Sequence, residues 1–224
     1  MKPDWQELLK EEFNKEYYIN IQSFLKRQTA EIYPKEEDIF NVYNLCSLKK
    51  IKVLIVGQDV YHTPGVAHGI AFSTLQDKRP PSLQNIFTEI YSDLNIKKPF
   101  NEYFATNNLT YWVRQGVFLL NTSLTVERGK PGSHSKIGWQ DFTKKTIELI
   151  NEKEEPIVVM LWGNHAKQFR EIFDNSKHLI LEASHPSPFS AYQGFMGCRH
   201  FSKCNNFLRK NYGKIIDWST KELL

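Results

Sequence analysis

Long apolar runs, a disulfide framework, internal repeats and low-complexity tracts are all missing from this 224-residue chain. No uncharged apolar stretch approaches the roughly 18 residues that a membrane-spanning helix needs. The start, MKPDWQELLKEEF, mixes charge with bulk where a signal peptide would carry a hydrophobic centre. A cytoplasmic protein without a membrane anchor is therefore expected. Only three cysteines occur, Cys46, Cys198 and Cys204; an odd count without framework spacing suits a reducing compartment and predicts no disulfide. Metal signatures are lacking too: there is no HExxH or comparable spacing, and Cys198, His200 and Cys204 fall short of the four ligands of a structural zinc site. Charge excludes little, because a net +4 with a pI near 8.8 permits a polyanionic partner without demanding one.

What is present suffices for one substantial core: 41% of residues are hydrophobic and 24% charged, so residues 1–224 are expected to form a single domain. Four short apolar segments stand out, near Val53–Gly57, Val117–Leu120, Ile157–Trp162 and Leu179–Leu181. Continuous runs of this length, bounded by turn residues, predict strands buried on both faces. Helical periodicity lies between and before them. Asp4 is placed to cap a first helix, a second continues through Tyr18, Ile21, Phe24 and Leu25, and Pro34 with its acidic run opens a third. Pro80-Pro81-Ser82 leads into Leu83, Ile86, Phe87 and Ile90 with Ser82 as the expected cap, Leu109 to Gln115 is a further helix, and Trp139 to Ile150 is amphipathic. A helix from about His165 to Phe173 and a closing one from near Arg199 to about Lys210 complete the set. Strands alternating with helices predict an α/β fold: a central four-stranded, mainly parallel sheet with helices on both faces.

Each predicted strand runs into a polar group, namely Asp59, Asn121, Asn164 and His185. A parallel sheet would gather all four along its carboxyl edge, where ligands of open α/β sheets bind. A carboxylate, an imidazole and a carboxamide, without a serine or cysteine nucleophile elbow, suit addition of water better than covalent catalysis. Asp59 can position or deprotonate that water, and His185 can donate to an oxygen that becomes anionic. Asn121 offers the donors and acceptor that read an amide-like edge such as a pyrimidine's, and Phe72 can stack on the ring.

GQDVYHTPGVAHGIAFS, PPSLQN, LLNTSLTV, LWGNHA and HPSPFSAYQGFMGCRHFSK together resemble the ordered motif set of family 1 uracil-DNA glycosylases, over roughly Ile51 to Lys203. The resemblance implies a cofactor-free, metal-free, monomeric repair enzyme that flips uracil out of single- or double-stranded DNA and hydrolyses its glycosidic bond. It implies that Asp59 activates water and His185 donates to uracil O2, that Asn121 reads the uracil edge, and that Phe72 stacks on the base. Tyr61 would exclude thymine's methyl group, with Gln58 shaping the pocket. Ser82, Gly163, Asn164 and Ser187 would press on the DNA backbone, and Phe189 would fill the vacated stack. Apart from the resemblance, Lys130, Lys136, Arg199 and Lys203 read either as phosphate contacts or as solvated surface charges. A proteinaceous inhibitor that mimics DNA is an implied partner.

Three residues depart from the family pattern. Val60 stands where GQDPYH has proline, which removes a fixed φ and predicts a looser loop around Asp59. Asn164 replaces a serine, and Phe189 replaces a leucine wedge with a larger planar group. Two rival readings compete. A metal hydrolase would draw on Asp59, His62, His68, His134 and His185, and a non-catalytic DNA-binding scaffold would have kept the fold alone. Retention of Asp59, His185, Asn121 and Tyr61 weighs against the second. Of the other histidines, His62 and His134 line loops, while His68, His165 and His178 are read as structural.

Overall fold

The computed structural model describes residues 1–221. In chain order the helices are α1 Pro3–Leu8, α2 Glu16–Arg27, α3 Asn41–Leu45, α4 Pro81–Asp93, α5 Phe100–Tyr103, α6 Thr110–Arg114, α7 Trp139–Asn151, α8 Asn164–Lys167 and α9 His200–Tyr212. The strands are β1 Ile32–Tyr33, β2 Val53–Gly57, β3 Val117–Asn121, β4 Val126–Glu127, β5 Val158–Trp162 and β6 Leu179–Ala183. The main sheet has the order β3-β2-β5-β6 and every pair in it is parallel, as the alternation of strands and helices predicts.

Every residue of β2, β3 and β5 is buried, because helices cover both faces of a parallel sheet. Edge strand β6 is only partly covered and exposes Glu182. The helices supply the rest of the core: α7 turns Trp139, Phe142, Ile147 and Ile150 inward, and α9 turns Phe201, Cys204 and Leu208. Truncating one of the fully buried aromatics, such as Phe118 or Trp162, to Ala would cost about 3–5 kcal/mol. Chain order reverses its direction along the sheet between β2 and β5, since β3 lies on one side of β2 and β5 on the other. That crevice is where ligands of such sheets bind.

Several expected boundaries shift. Lys2, not Asp4, occupies the N-cap of α1, and the Asp4 carboxylate instead accepts from Trp5 N at 3.0 Å and Leu48 N at 2.6 Å. Ser82 is not a cap either: Pro80 takes that position and Pro81 the first helical one, which leaves Ser82 in the first turn of α4 without a capping hydrogen bond. The acidic run after Pro34 forms a 3₁₀ turn, Glu36–Asp38, before α3 begins. The helix expected from His165 to Phe173 breaks into α8 and a 3₁₀ turn at Arg170–Ile172. A second, antiparallel pair, β1 with β4, is too short to leave a sequence signal. The three cysteines are unpaired, two of them buried.

Buried histidines make stability depend on pH. His68 and His200 lie in the interior, where desolvation pushes the pKa of each down to about 4. Between that value and the ordinary one near 6.5, the unfolded chain binds protons that the folded chain refuses, so stability falls as pH drops through this window. The loss is at most about 1.4 kcal/mol per pH unit for each such histidine. Denaturation midpoints measured from pH 7 to pH 4 should decline steadily, and His68→Gln should flatten the slope; an unchanged slope would place the acid sensitivity elsewhere.

Candidate active site

The edge of β2 and β3 is stitched together before any catalytic group appears. Gly57 and Asn121 pair in register, and the carbonyl of Gln58 accepts from Thr122 N at 3.1 Å, Ser123 N at 3.1 Å and the Thr122 hydroxyl at 2.9 Å. Gln58 thus shapes the site with its backbone, while its amide donates weakly to Asp59 Oδ2 at 3.4 Å. Val60 stands in this loop in place of proline. Its side chain is buried against Tyr33, Val126 and Ala67, so packing restrains the loop where a fixed φ is lacking.

Gly57 forms the floor. A Cβ there would lie 2.5 Å from Asn121 Oδ1 and within 3.3 Å of the Phe72 ring, so only glycine leaves both groups their places. Asn121 lies in register with Gly57 and is 7% exposed. Phe72 holds a left-handed backbone, φ +64°, a strained setting for a bulky residue. The Tyr61 hydroxyl fastens it by donating to the Phe72 carbonyl at 3.0 Å. Behind Phe72 the ring of Trp162 packs at 5.5 Å, braced by Phe195 and by a hydrogen bond from its Nε1 to His200 Nδ1 at 3.1 Å.

His185 faces this floor, its ring 5.9 Å from that of Phe72. A Cβ on Gly163 would come within 3.0 Å of His185 Cβ, so the glycine after β5 lets the histidine after β6 approach. The backbone N–H of Ser187 donates to His185 Nδ1 at 3.0 Å. A nitrogen that accepts cannot carry a proton, so the remaining proton sits on Nε2 and the neutral ring presents a donor. Desolvation, followed by repulsion from His165, lowers the His185 pKa and keeps the ring neutral. Burial raises the Asp59 pKa, while His165 and the Gln58 amide pull it back down. Tyr61 is also pushed up by burial, so its phenol stays protonated. The loop over the site approaches Asp59 closely: a Cβ on Gly132 would stand 3.9 Å from Oδ2.

Tyr61, Phe72, Asn121 and His185 are linked around Gly57 in this way, Asp59 lies two residues beyond β2, and the other candidates lie elsewhere. Asn164 is exposed at the start of α8, and Ser187 holds Ser190 Oγ at 3.0 Å. Phe189 is 91% exposed. Arg199 is exposed with its Nε 3.7 Å from Asp93. Lys130 pairs with Glu127, and Lys203 donates to the Cys198 carbonyl. His68 and His178 bond within the protein interior, as structural histidines do. His165 differs from expectation. It is exposed, and its charge acts on both Asp59 and His185; only its place directly after Asn164 hinted at this. His134 is buried against Thr125 rather than open to the site. Among the described residues no three His, Cys, Asp or Glu side chains converge as a metal site. Chemistry rather than volume marks the site: clefts of about 440 and 460 Å³ lie along α1 and α2, while the gap beside Asn121 is about 10 Å³.

A sheet edge that sets an ionisable carboxylate and a neutral imidazole donor about a flat, aromatic-backed slot suits hydrolysis at a planar heterocycle. The family model of the uracil DNA glycosylase superfamily matches residues 43–209. Uracil-DNA glycosylase 2 of Listeria monocytogenes is 51% identical over 218 residues, 96% of this chain and 95% of that protein. The uracil-DNA glycosylase of a Geobacillus species is 49% identical over 226 residues, 100% of this chain and 99% of its own length. Among solved structures, a variant of mimivirus UNG in complex with UGI superposes with a TM-score of 0.88 at 29% identity, covering 98% of this chain and 89% of that one. The chain belongs to the uracil-DNA glycosylase superfamily.

Proposed function

We infer that this protein excises uracil from DNA by hydrolysing its N-glycosidic bond, with Asp59 and His185 as the catalytic pair. The observation that carries the reading is the meeting of Asn121, Phe72 and a neutral His185 around the floor that Gly57 leaves open, with Asp59 on the loop that leaves the same strand. Base excision begins with such a step, which yields free uracil and an abasic site. A base inside a duplex is out of reach of these groups, so the nucleotide must leave the stack.

In the slot, Phe72 stacks on the uracil ring and the Asn121 carboxamide matches its N3–H and O4. Tyr61, tied to the Phe72 carbonyl, occupies the space a thymine methyl would need. As the glycosidic bond breaks, negative charge gathers on the uracil; the His185 Nε2–H donates to O2 and stabilises it. Ionised Asp59 stabilises the cationic sugar and orients the water that adds to it. Ser82, Gly163, Asn164, Ser187 and Arg199 engage the DNA backbone around this slot, and Phe189 fills the gap left by the flipped nucleotide. The protein works as one domain and as a monomer, in the cytoplasm, on single and double strands and without a metal or other cofactor. A UGI-like inhibitor that imitates DNA fits the same exposed rim.

Base recognition tests the substrate assignment. Asn121→Asp exchanges the amide's two donors for a carboxyl group and should admit some cytosine, because the edge that can pair has changed. Release of cytosine measured against uracil checks this; strict retention of uracil specificity would refute the assignment. Phe189→Ala should slow excision from duplex DNA about tenfold more than from single strands, since only a duplex leaves a gap to fill. Phe189→Leu should restore most of the duplex rate. Equal slowing on both substrates would show that Phe189 does not enter the DNA.

A further inference from the structure

Helix α4 begins beside the expected phosphate contact at Ser82 and carries Asn85, Glu89 and Asp93 at intervals of four, which places them on one face. That face meets the segment from Pro186 to Ser202. Asn85 Nδ2 donates to the Pro186 carbonyl at 2.8 Å. Glu89 accepts through both oxygens, from Gly197 N at 2.6 Å and from Arg199 N at 2.9 Å. Asp93 accepts from Ser202 N at 2.8 Å and from the Ser202 hydroxyl at 2.6 Å. Both carboxylates are buried, Glu89 at 2% and the Asp93 side chain at 0% exposure. Anions are rarely placed in an interior unless they do something apolar groups cannot.

What these three do is grip main chain. Four of their six hydrogen bonds to the segment end on backbone atoms, the others taking the Ser202 hydroxyl and the Cys198 thiol, so they fix the path of the segment largely whatever its side chains. One bond holds it next to His185; the rest hold its far end, where Arg199 takes a left-handed φ of +58° at the N-cap of α9. Phe189 stands between the two anchorages.

We propose that Asn85, Glu89 and Asp93 are positioning residues that fix the spacing between Ser82 and Phe189, so that pressure on the DNA backbone and entry of the wedge occur together. The proposal rests on the functional reading above. Capture of a base from a duplex needs both contacts at once, whereas a single strand has no gap to fill and tolerates a shift between them.

Glu89→Gln tests it, because an amide can accept only one of the two backbone N–H groups and sets a donor against the other. The full-length protein should lose about tenfold or more in duplex excision and no more than about threefold on single strands, the scale expected of a misplacement below 1 Å. Asn85→Ala removes one hydrogen bond from a half-buried side chain, and the same ratio scores it should Glu89→Gln not fold. Equal losses on both substrates, or no loss on either, would overturn the proposal while leaving the functional reading intact. If the unsubstituted protein releases no uracil from either substrate, the functional reading falls, and this proposal with it.

Discussion

Asp59→Asn is expected to slow single-turnover release of uracil by about 10² or more while affinity for uracil-containing DNA changes little, the usual scale for removing a positioned base. The carboxylate lies two residues beyond the end of β2 on a loop stitched to β3 through Gln58 and packed down by Val60. The amide is nearly isosteric, so the loop should keep its path and only the charge is lost. Without that charge nothing near the sugar stabilises a developing cation or orients water. The same requirement sets the pH dependence. Burial holds the Asp59 pKa above the ordinary carboxylate value, and only the ionised form works, so turnover should fall as pH drops through that raised value. Gel-based single-turnover assays with binding followed by fluorescence anisotropy would check both statements; parallel loss of rate and affinity would make Asp59 a structural residue.

His185→Ala should cost about 10²–10³ in turnover, the range measured when a donor to a developing anion is deleted. On the proposed mechanism the imidazole acts as a neutral donor, because Ser187 N occupies Nδ1 and burial depresses the ring's pKa. The loss should therefore remain constant on raising the pH from 7 to 9, where the ring stays neutral. A cationic histidine would instead lose its contribution over that interval, so the ratio of wild-type to variant rates against pH separates the two. NMR of the Nδ1 and Nε2 resonances would show the proton on Nε2.

Strand positions and the residues at their ends were legible because a strand buried on both faces leaves a continuous apolar run, and the first polar residue beyond it has one place to go. Asp59, Asn121 and His185 were found in this way. The neutral state of His185 was not, since it depends on a backbone N–H two residues on, which every residue except proline possesses. Ser82 was misjudged as a cap because Pro80 and Pro81 already supply the first positions of α4. His165 read as one more structural histidine, whereas in the fold it is exposed on the short helix α8 and bears electrostatically on Asp59 and His185. No apolar periodicity marks Asn85, Glu89 and Asp93, and only Asn85 falls within a motif, PPSLQN. Their four-residue spacing was visible, but the segment they grip is about a hundred residues away. The family motifs marked the candidate residues; how Gly57 and Gly163 make room for them required the fold.

The most direct test is to incubate the unsubstituted protein, with EDTA present, with oligonucleotides that carry a single uracil or a single thymine, and to measure free base and alkali-labile sites. The expected result is free uracil in equal amount to abasic sites, none from thymine, and a rate that the chelator does not change. Absence of free uracil, or release that returns only when zinc or magnesium is restored, would contradict hydrolysis by Asp59 and His185.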